Sequence, residues 1–177
     1  MSLLKQFEIL SEYNLLMNQR LYDATATLTD DKISEDRGAF FKSILGTLNH
    51  IVVGDTIWLK RFSSLPSSAE ALAYFAEIDQ PTSLDMLLFE KFDDLRAERE
   101  KIDEITINWI AALKEDDLSS ALSYNSMIGT AFKKELGSLI NHYFLHQVHH
   151  RGQATTLLSQ YGVDFGDTDI IEIMDDV

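Results

Sequence analysis

Four of the five histidines fall within one short stretch, at positions 142, 146, 149 and 150, and the fifth stands far upstream at position 50. Neutral imidazole is the commonest metal ligand among side chains, so this cluster raises metal chemistry first. His146 and His150 are four residues apart. On a helix both rings project from one face on successive turns, close enough to share an ion. At about 100° per residue, Leu136, Leu139, Ile140, Tyr143, Ala154, Leu157 and Leu158 fill one apolar arc. His150 lies inside that arc, His146 lies at its edge, and His142 and His149 lie beyond it. The pair His142 and His146 has the same spacing but points toward solvent, and His149 reads as a surface residue or as support for a ligand.

Paired histidines on a helix flank are often no more than polar surface, so a third ligand has to complete the case. His50 is the remaining histidine. It can meet His146 and His150 if its helix neighbours theirs. On the wheel it lies away from the stripe of Ile44, Leu48, Asp55 and Phe62, which counts against deep burial. Its own neighbours, Ser43, Thr47 and Gly54, are small, so it is expected to border an open cleft, as a metal with free coordination positions requires.

Competing chemistries fail on spacing. A zincin motif needs Glu directly after the first histidine, and that position holds Gln147. A di-iron carboxylate bundle needs Glu-x-x-His, and no histidine here has Glu three residues before it. The absence of cysteine and of Gly-x-Ser-x-Gly removes nucleophilic catalysis of the Cys/His and Ser/His/Asp kinds.

The elements that must position these histidines are helices. Hydrophobic spacing predicts a first helix over 3–28 and a second over 38–62, with Phe40, Ile44, Leu48, Ile51, Asp55, Trp58 and Phe62 along one stripe. Asp55 is the odd polar member. Ser83, just after Pro81, looks like the N-cap of a third helix running to residue 114. Residues 118–132 are rich in Ser, Thr, Tyr and Gly and favour a long loop or a small hairpin. A fourth helix is expected over 133–161, stopped by Gly162. Four such helices define an all-α, four-helix bundle, a fold whose facing helices commonly hold metals.

Length and composition agree. The 177 residues suit one domain, 1–177, with 45% hydrophobic and 25% charged residues. Apolar runs such as 109–113 fall far short of the roughly 20 residues that span a bilayer, so no membrane association is expected. With no secretion-signal pattern and no cysteine, a cytoplasmic location is the default. The net charge of -14, unbroken by any Lys/Arg-rich stretch, repels phosphate backbones, so nucleic acid is not an expected partner.

Three stretches carry a resemblance to a known family: YNLLMNQRL at 13–21, LNHIVVGDTIWLKRF at 48–62 and HQVHHRGQ at 146–153. They resemble the DinB or YfiT-like family of metalloenzymes, although Leu16 stands where an aromatic residue is common. The resemblance implies an up-down-down-up four-helix bundle, with His50, His146 and His150 as ligands to one divalent ion. It makes Asn14, Asp55, Arg151 and Gln153 candidates for supporting or packing roles, and it implies a homodimer. Relatives with assigned activities are similar to thiol-dependent S-transferases and isomerases. The expected partners are therefore a small-molecule substrate and a low-molecular-weight thiol. A metal-dependent hydrolase, a binding bundle without turnover and a metal-free dimerising module stand as alternatives. Three neutral imidazoles suit Zn, Ni, Fe or Mn, so the ion's identity stays open.

Overall fold

The computed structural model describes residues 1–174. Six α-helices occur among them: α1 (Leu3–Thr25), α2 (Asp30–Ser34), α3 (Ile44–Phe62), α4 (Ala73–Glu77), α5 (Phe92–Ala112) and α6 (Leu136–Gln160). Strands β1 (Ala121–Asn125) and β2 (Ala131–Glu135) form an antiparallel hairpin just before α6, in the register Leu122 to Lys134 and Tyr124 to Phe132. The four long helices make the expected bundle, in which α1 packs on α5 and α6 while α3 packs on α6 and α5. No described helix is long and apolar enough to cross a membrane.

The core explains the bundle. Leu48, Phe62, Leu95, Ile102, Trp109, Leu136, Ile140, Tyr143 and Leu158 are all buried and contributed by α3, α5 and α6 at helical intervals. Phe62 stacks on Trp109 at 5.1 Å, and the Trp109 indole N–H donates to Ser68 Oγ at 2.9 Å. Gly162, with φ 72°, ends α6 as the sequence implied, its N–H and that of Val163 returning to Ser159 and Leu158.

Three helix starts differ from expectation, two of them consequentially. The second long helix starts at Ile44, because Ser43 Oγ caps Gly46 N–H at 3.0 Å and the preceding residues form a tight turn with Gly38 and Lys42 at positive φ. Phe40 therefore leaves the predicted stripe and is 87% exposed, while Phe41 is released to pack elsewhere. The third long helix starts at Phe92, and Ser83 caps nothing there. Residues 84–89 stay out of the helix because α3 takes their backbone groups. Asn49 Oδ1 accepts from Phe89 N–H at 2.9 Å, Asn49 Nδ2 donates to Phe89 O at 3.0 Å, and Leu84 O is engaged by His50. The last helix starts at Leu136 because residues 131–135 pair in the hairpin, a choice the sequence had left open as loop or hairpin.

All four long helices meet in a buried charged layer. Arg99 on α5 pairs with Asp55 on α3 and, at 2.9 Å, with Asp103 one turn on. Asn14 and Asn18 on α1 donate to Asp103, and Arg151 on α6 donates to Asn14 and Asn18. Two guanidiniums face two carboxylates, so the formal charge cancels. Burial pushes the Asp55 carboxyl up to about 6 against the opposing pull of Arg99, whereas Asp103 and Asp55 outweigh the desolvation of Arg99 and hold it charged. Removing one partner strands the others in the interior. Arg99→Met is predicted to lower unfolding stability by about 3–5 kcal/mol, measured by urea denaturation. A loss within experimental error would show that the layer contributes nothing to the fold.

Candidate metal centre

His50 comes from the middle of α3, and His146 and His150 come from adjacent turns of α6. The two helices are packed neighbours, so the three imidazoles converge with ligand-capable nitrogens all within 4.8 Å of one another. His50 is 5% exposed and His150 8% exposed, with His146 intermediate. The wheel underestimated the burial of His50, because the segment 84–89 folds over it, a contact no single helix can reveal.

Hydrogen bonds assign the tautomers. His50 Nδ1 lies 2.7 Å from Leu84 O, and His150 Nδ1 lies 2.8 Å from Gln153 Oε1. Carbonyl oxygens only accept, so each Nδ1 carries the proton and each Nε2 presents a bare lone pair. Those two Nε2 atoms face each other at 3.1 Å. Two bare lone pairs at that distance repel unless a cation lies between them. Two nitrogens bound to one tetrahedral ion at about 2.0–2.1 Å stand about 3.3 Å apart, close to the separation found.

A proton is a poor occupant for this site. Burial, reinforced by the neighbouring rings, pushes His146 down to about 3, and burial pushes His150 down to about 4. His50 is lowered as well, again chiefly by burial. The rings are neutral at physiological pH, which is the form that binds metal.

Packing holds the rings in place. Phe41 stacks on His50 with centroids 3.9 Å apart and an interplanar angle of 16°, and presents its edge region to His150 at 5.6 Å. Gly54 lies directly beneath His146: a Cβ at that position would come within 2.6 Å of His146 Cε1. The small residues beside His50 on the wheel thus have a use, since Gly54 makes room for the neighbouring ring.

The remaining predicted residues divide. Gln153 supports His150 directly, with its amide nitrogen turned to His149 Nε2 at 3.3 Å. Asn14, Asp55 and Arg151 belong to the buried charged layer. His142 and His149 are exposed, as the wheel implied. Gln147, where a zincin would carry its Glu, is fully buried and turned into the charged layer toward Asn18 and Arg151. Sequence reasoning missed Phe41, Leu84, Asn18, Arg99 and Asp103. Only the two i,i+4 pairs, Asn14 with Asn18 and Arg99 with Asp103, left a trace, and such pairs ordinarily mark solvated faces.

His50 and His146 open onto a cleft of about 460 Å³, walled by Gly54, Ile57, Trp58 and Arg61 of α3, by Leu84, and by Tyr124, Met127, Ile128 and Phe132 of the hairpin. His142 stands on its rim with its ring edge-on to Trp58 at 5.0 Å. His150, backed by Phe41 and Gln153, does not itself line the cleft.

An all-α bundle with three imidazoles gathered from two neighbouring helices defines a helical protein able to hold a metal ion. This chain belongs to the DinB family, whose model matches residues 2–175. It is 26% identical over 161 residues to protein DinB of Bacillus subtilis (strain 168), covering 90% of this chain and 88% of that protein. The crystal structure of a DinB-like protein from Bacillus cereus ATCC 10987 superposes with a TM-score of 0.58 at 17% identity, over 88% of this chain and 91% of that one, and bears on the fold alone.

If Gly54 is needed to seat His146, Gly54→Ala should displace that ring while the helix persists. Its affinity for zinc, measured by competition with a chromophoric chelator, is expected to fall by about 10–100-fold, with the circular dichroism unchanged. Affinity equal to wild type would remove His146 from the site.

Proposed function

We propose that this protein is a metal-dependent enzyme acting on a small molecule, in which His50, His146 and His150 hold one divalent ion and a low-molecular-weight thiol is the co-substrate. The observation that carries this reading is the charge balance of the cleft. Its ligands are three neutral imidazoles, and no carboxylate lines it among the described residues. A dication there keeps its full charge and favours an anionic ligand from outside. Bound at this site, a divalent ion supplies Lewis acidity, which lowers the pKa of a coordinating thiol or water toward neutrality.

The chain's own residues then do three things. Leu84 O and Gln153 Oε1 fix two imidazoles in the tautomer that directs Nε2 into the site, so no reorganisation is needed when a ligand arrives. Trp58, Tyr124, Phe132 and Ile128 give the cleft apolar walls that displace water from a substrate body. With no cysteine in the chain, the thiol has to enter from solution through the open side of the cleft.

One feature favours a second reading, metal-dependent hydrolysis. His142, whose pKa is lowered by burial and by the nearby Arg61, stands at the rim as a side chain able to take a proton from water. A binding bundle without turnover would use the same cleft without either chemistry.

Incubation of zinc-, nickel-, iron- and manganese-loaded protein with electrophilic test substrates, with and without a panel of cellular thiols, separates these readings. The expected result is turnover that requires both metal and a thiol and is lost in His50→Ala. Turnover indifferent to every thiol but dependent on His142 would replace the S-transferase reading with the hydrolase. Absence of turnover under all conditions would leave a binding protein.

A further inference from the structure

Arg61 is set apart from the other arginines. Arg20, Arg37, Arg96 and Arg99 each pair with a carboxylate, and Arg151 is buried among the amides of α1. Arg61 has no carboxylate partner among the described residues, in a chain carrying a net charge of -14. Surface arginines of an acidic protein ordinarily find an acidic neighbour, so an unpaired one that lines a cleft calls for a reason.

Its surroundings hold it ready rather than neutralise it. The guanidinium lies over the Trp58 ring at 4.7 Å and over the Tyr124 ring at 4.8 Å, and Nη2 donates to Asn125 O at 2.8 Å. These contacts order the planar group between α3 and β1 but supply no negative charge. Nε and Nη1 keep donors for which no hydrogen-bond partner occurs among the described residues. Loss of solvent around the group lowers its pKa, as expected for a cation left without a counter-charge.

Arg61 also shares the cleft with the metal site. His50 and Arg61 lie on the same helix, eleven residues apart, which is about 16 Å of axial rise. Eleven residues at about 100° each return to within about 20° of the same face, so both side chains border the one cleft. Ile57, Trp58 and Leu84 give that cleft apolar lining, with His142 beside Trp58.

From this arrangement we infer that the cleft selects a ligand bearing a carboxylate, which Arg61 pairs while the apolar body lies along Trp58 and the far end reaches the three imidazoles. The carboxylate belongs either to the thiol or to its acceptor, and Arg61 is the specificity-determining residue in both cases. This deepens the proposed function and rests on its placing of a ligand at the imidazoles.

The test uses cobalt-loaded protein and two sets of probes. The first is a ladder of ω-mercaptoalkanoic acids of increasing length beside their primary amides, followed by sulfur-to-cobalt charge-transfer absorption. The second is 4-phenylbutyrate beside 4-phenylbutyramide, which carry no sulfur, followed by calorimetry.

Acids are expected to bind about tenfold more tightly than amides once the chain spans the cleft, a ratio typical of one charge-assisted pair. Arg61→Gln should bring the ratio to one without weakening the amides, and Arg61→Lys should keep part of it. A merely structural role for Arg61 in tethering the hairpin would weaken acid and amide alike and overturn the inference, as would equal binding of acid and amide by wild type. Preference confined to the mercapto acids places the carboxylate on the thiol, and preference for phenylbutyrate alone places it on the acceptor. Absence of any charge-transfer band would defeat the thiol reading separately, because the phenylbutyrate arm still measures Arg61.

Discussion

The buried layer of Arg99, Asp55, Asp103 and Arg151 constrains everything else in this fold, because each of the four long helices contributes to it. Apolar packing alone tolerates small rotations of a helix about its axis. Paired buried charges do not, since each degree of misalignment exposes a desolvated group to an uncompensated field. On α6 the consequence is direct. That helix carries two i,i+4 pairs offset by one residue: Gln147 with Arg151, and His146 with His150. The first pair is locked into the charged layer, and the second is thereby aimed about 100° away, toward α3. The same logic holds on α3, where Asp55 enters the layer and Gly54, one residue earlier, lies beneath the His146 ring.

The charged layer and the histidine site divide the electrostatics between them. In the layer the charges cancel among the protein's own groups. At the site they do not: imidazoles stripped of solvent, with the protons of His50 and His150 directed outward to carbonyls, leave a concentration of lone pairs and no countercharge. Such a site could hold a cation, and in the proposed function that cation would want an anion from outside. The apolar cleft and Arg61, without a carboxylate partner among the described residues, extend that imbalance toward solvent, so that in the proposed function metal binding and ligand charge preference would share one physical origin.

Much of this was legible in the sequence. The helical periods, the glycine stop at 162 and the i,i+4 pair His146 and His150 are local features, and local features survive in sequence. The third imidazole of the cluster was legible in type but not in burial, because His50 is covered by the segment beginning at Leu84, more than thirty positions away. Those same residues were read as helix from Ser83 and the leucine spacing, and they are not helical because Asn49 and His50 take their backbone groups. Phe41 was hidden for a related reason: the turn ending at Ser43 removes it from the helix and lays it on His50. Arg99 and Asp103 looked like an ordinary solvated pair on an acidic helix, and only the meeting of four helices turns them into core.

The proposed centre is one ion held by His50, His146 and His150 with positions left open. X-ray absorption at the metal edge tests it most directly, comparing zinc-loaded wild type with the double variant His142→Gln/His149→Gln. Three imidazole nitrogens at about 2.0–2.1 Å, at least one further light-atom ligand from solvent, and an identical spectrum for the double variant are expected. Fewer imidazoles in the double variant, four imidazoles in the wild type, or a protein carboxylate in the coordination shell would contradict it.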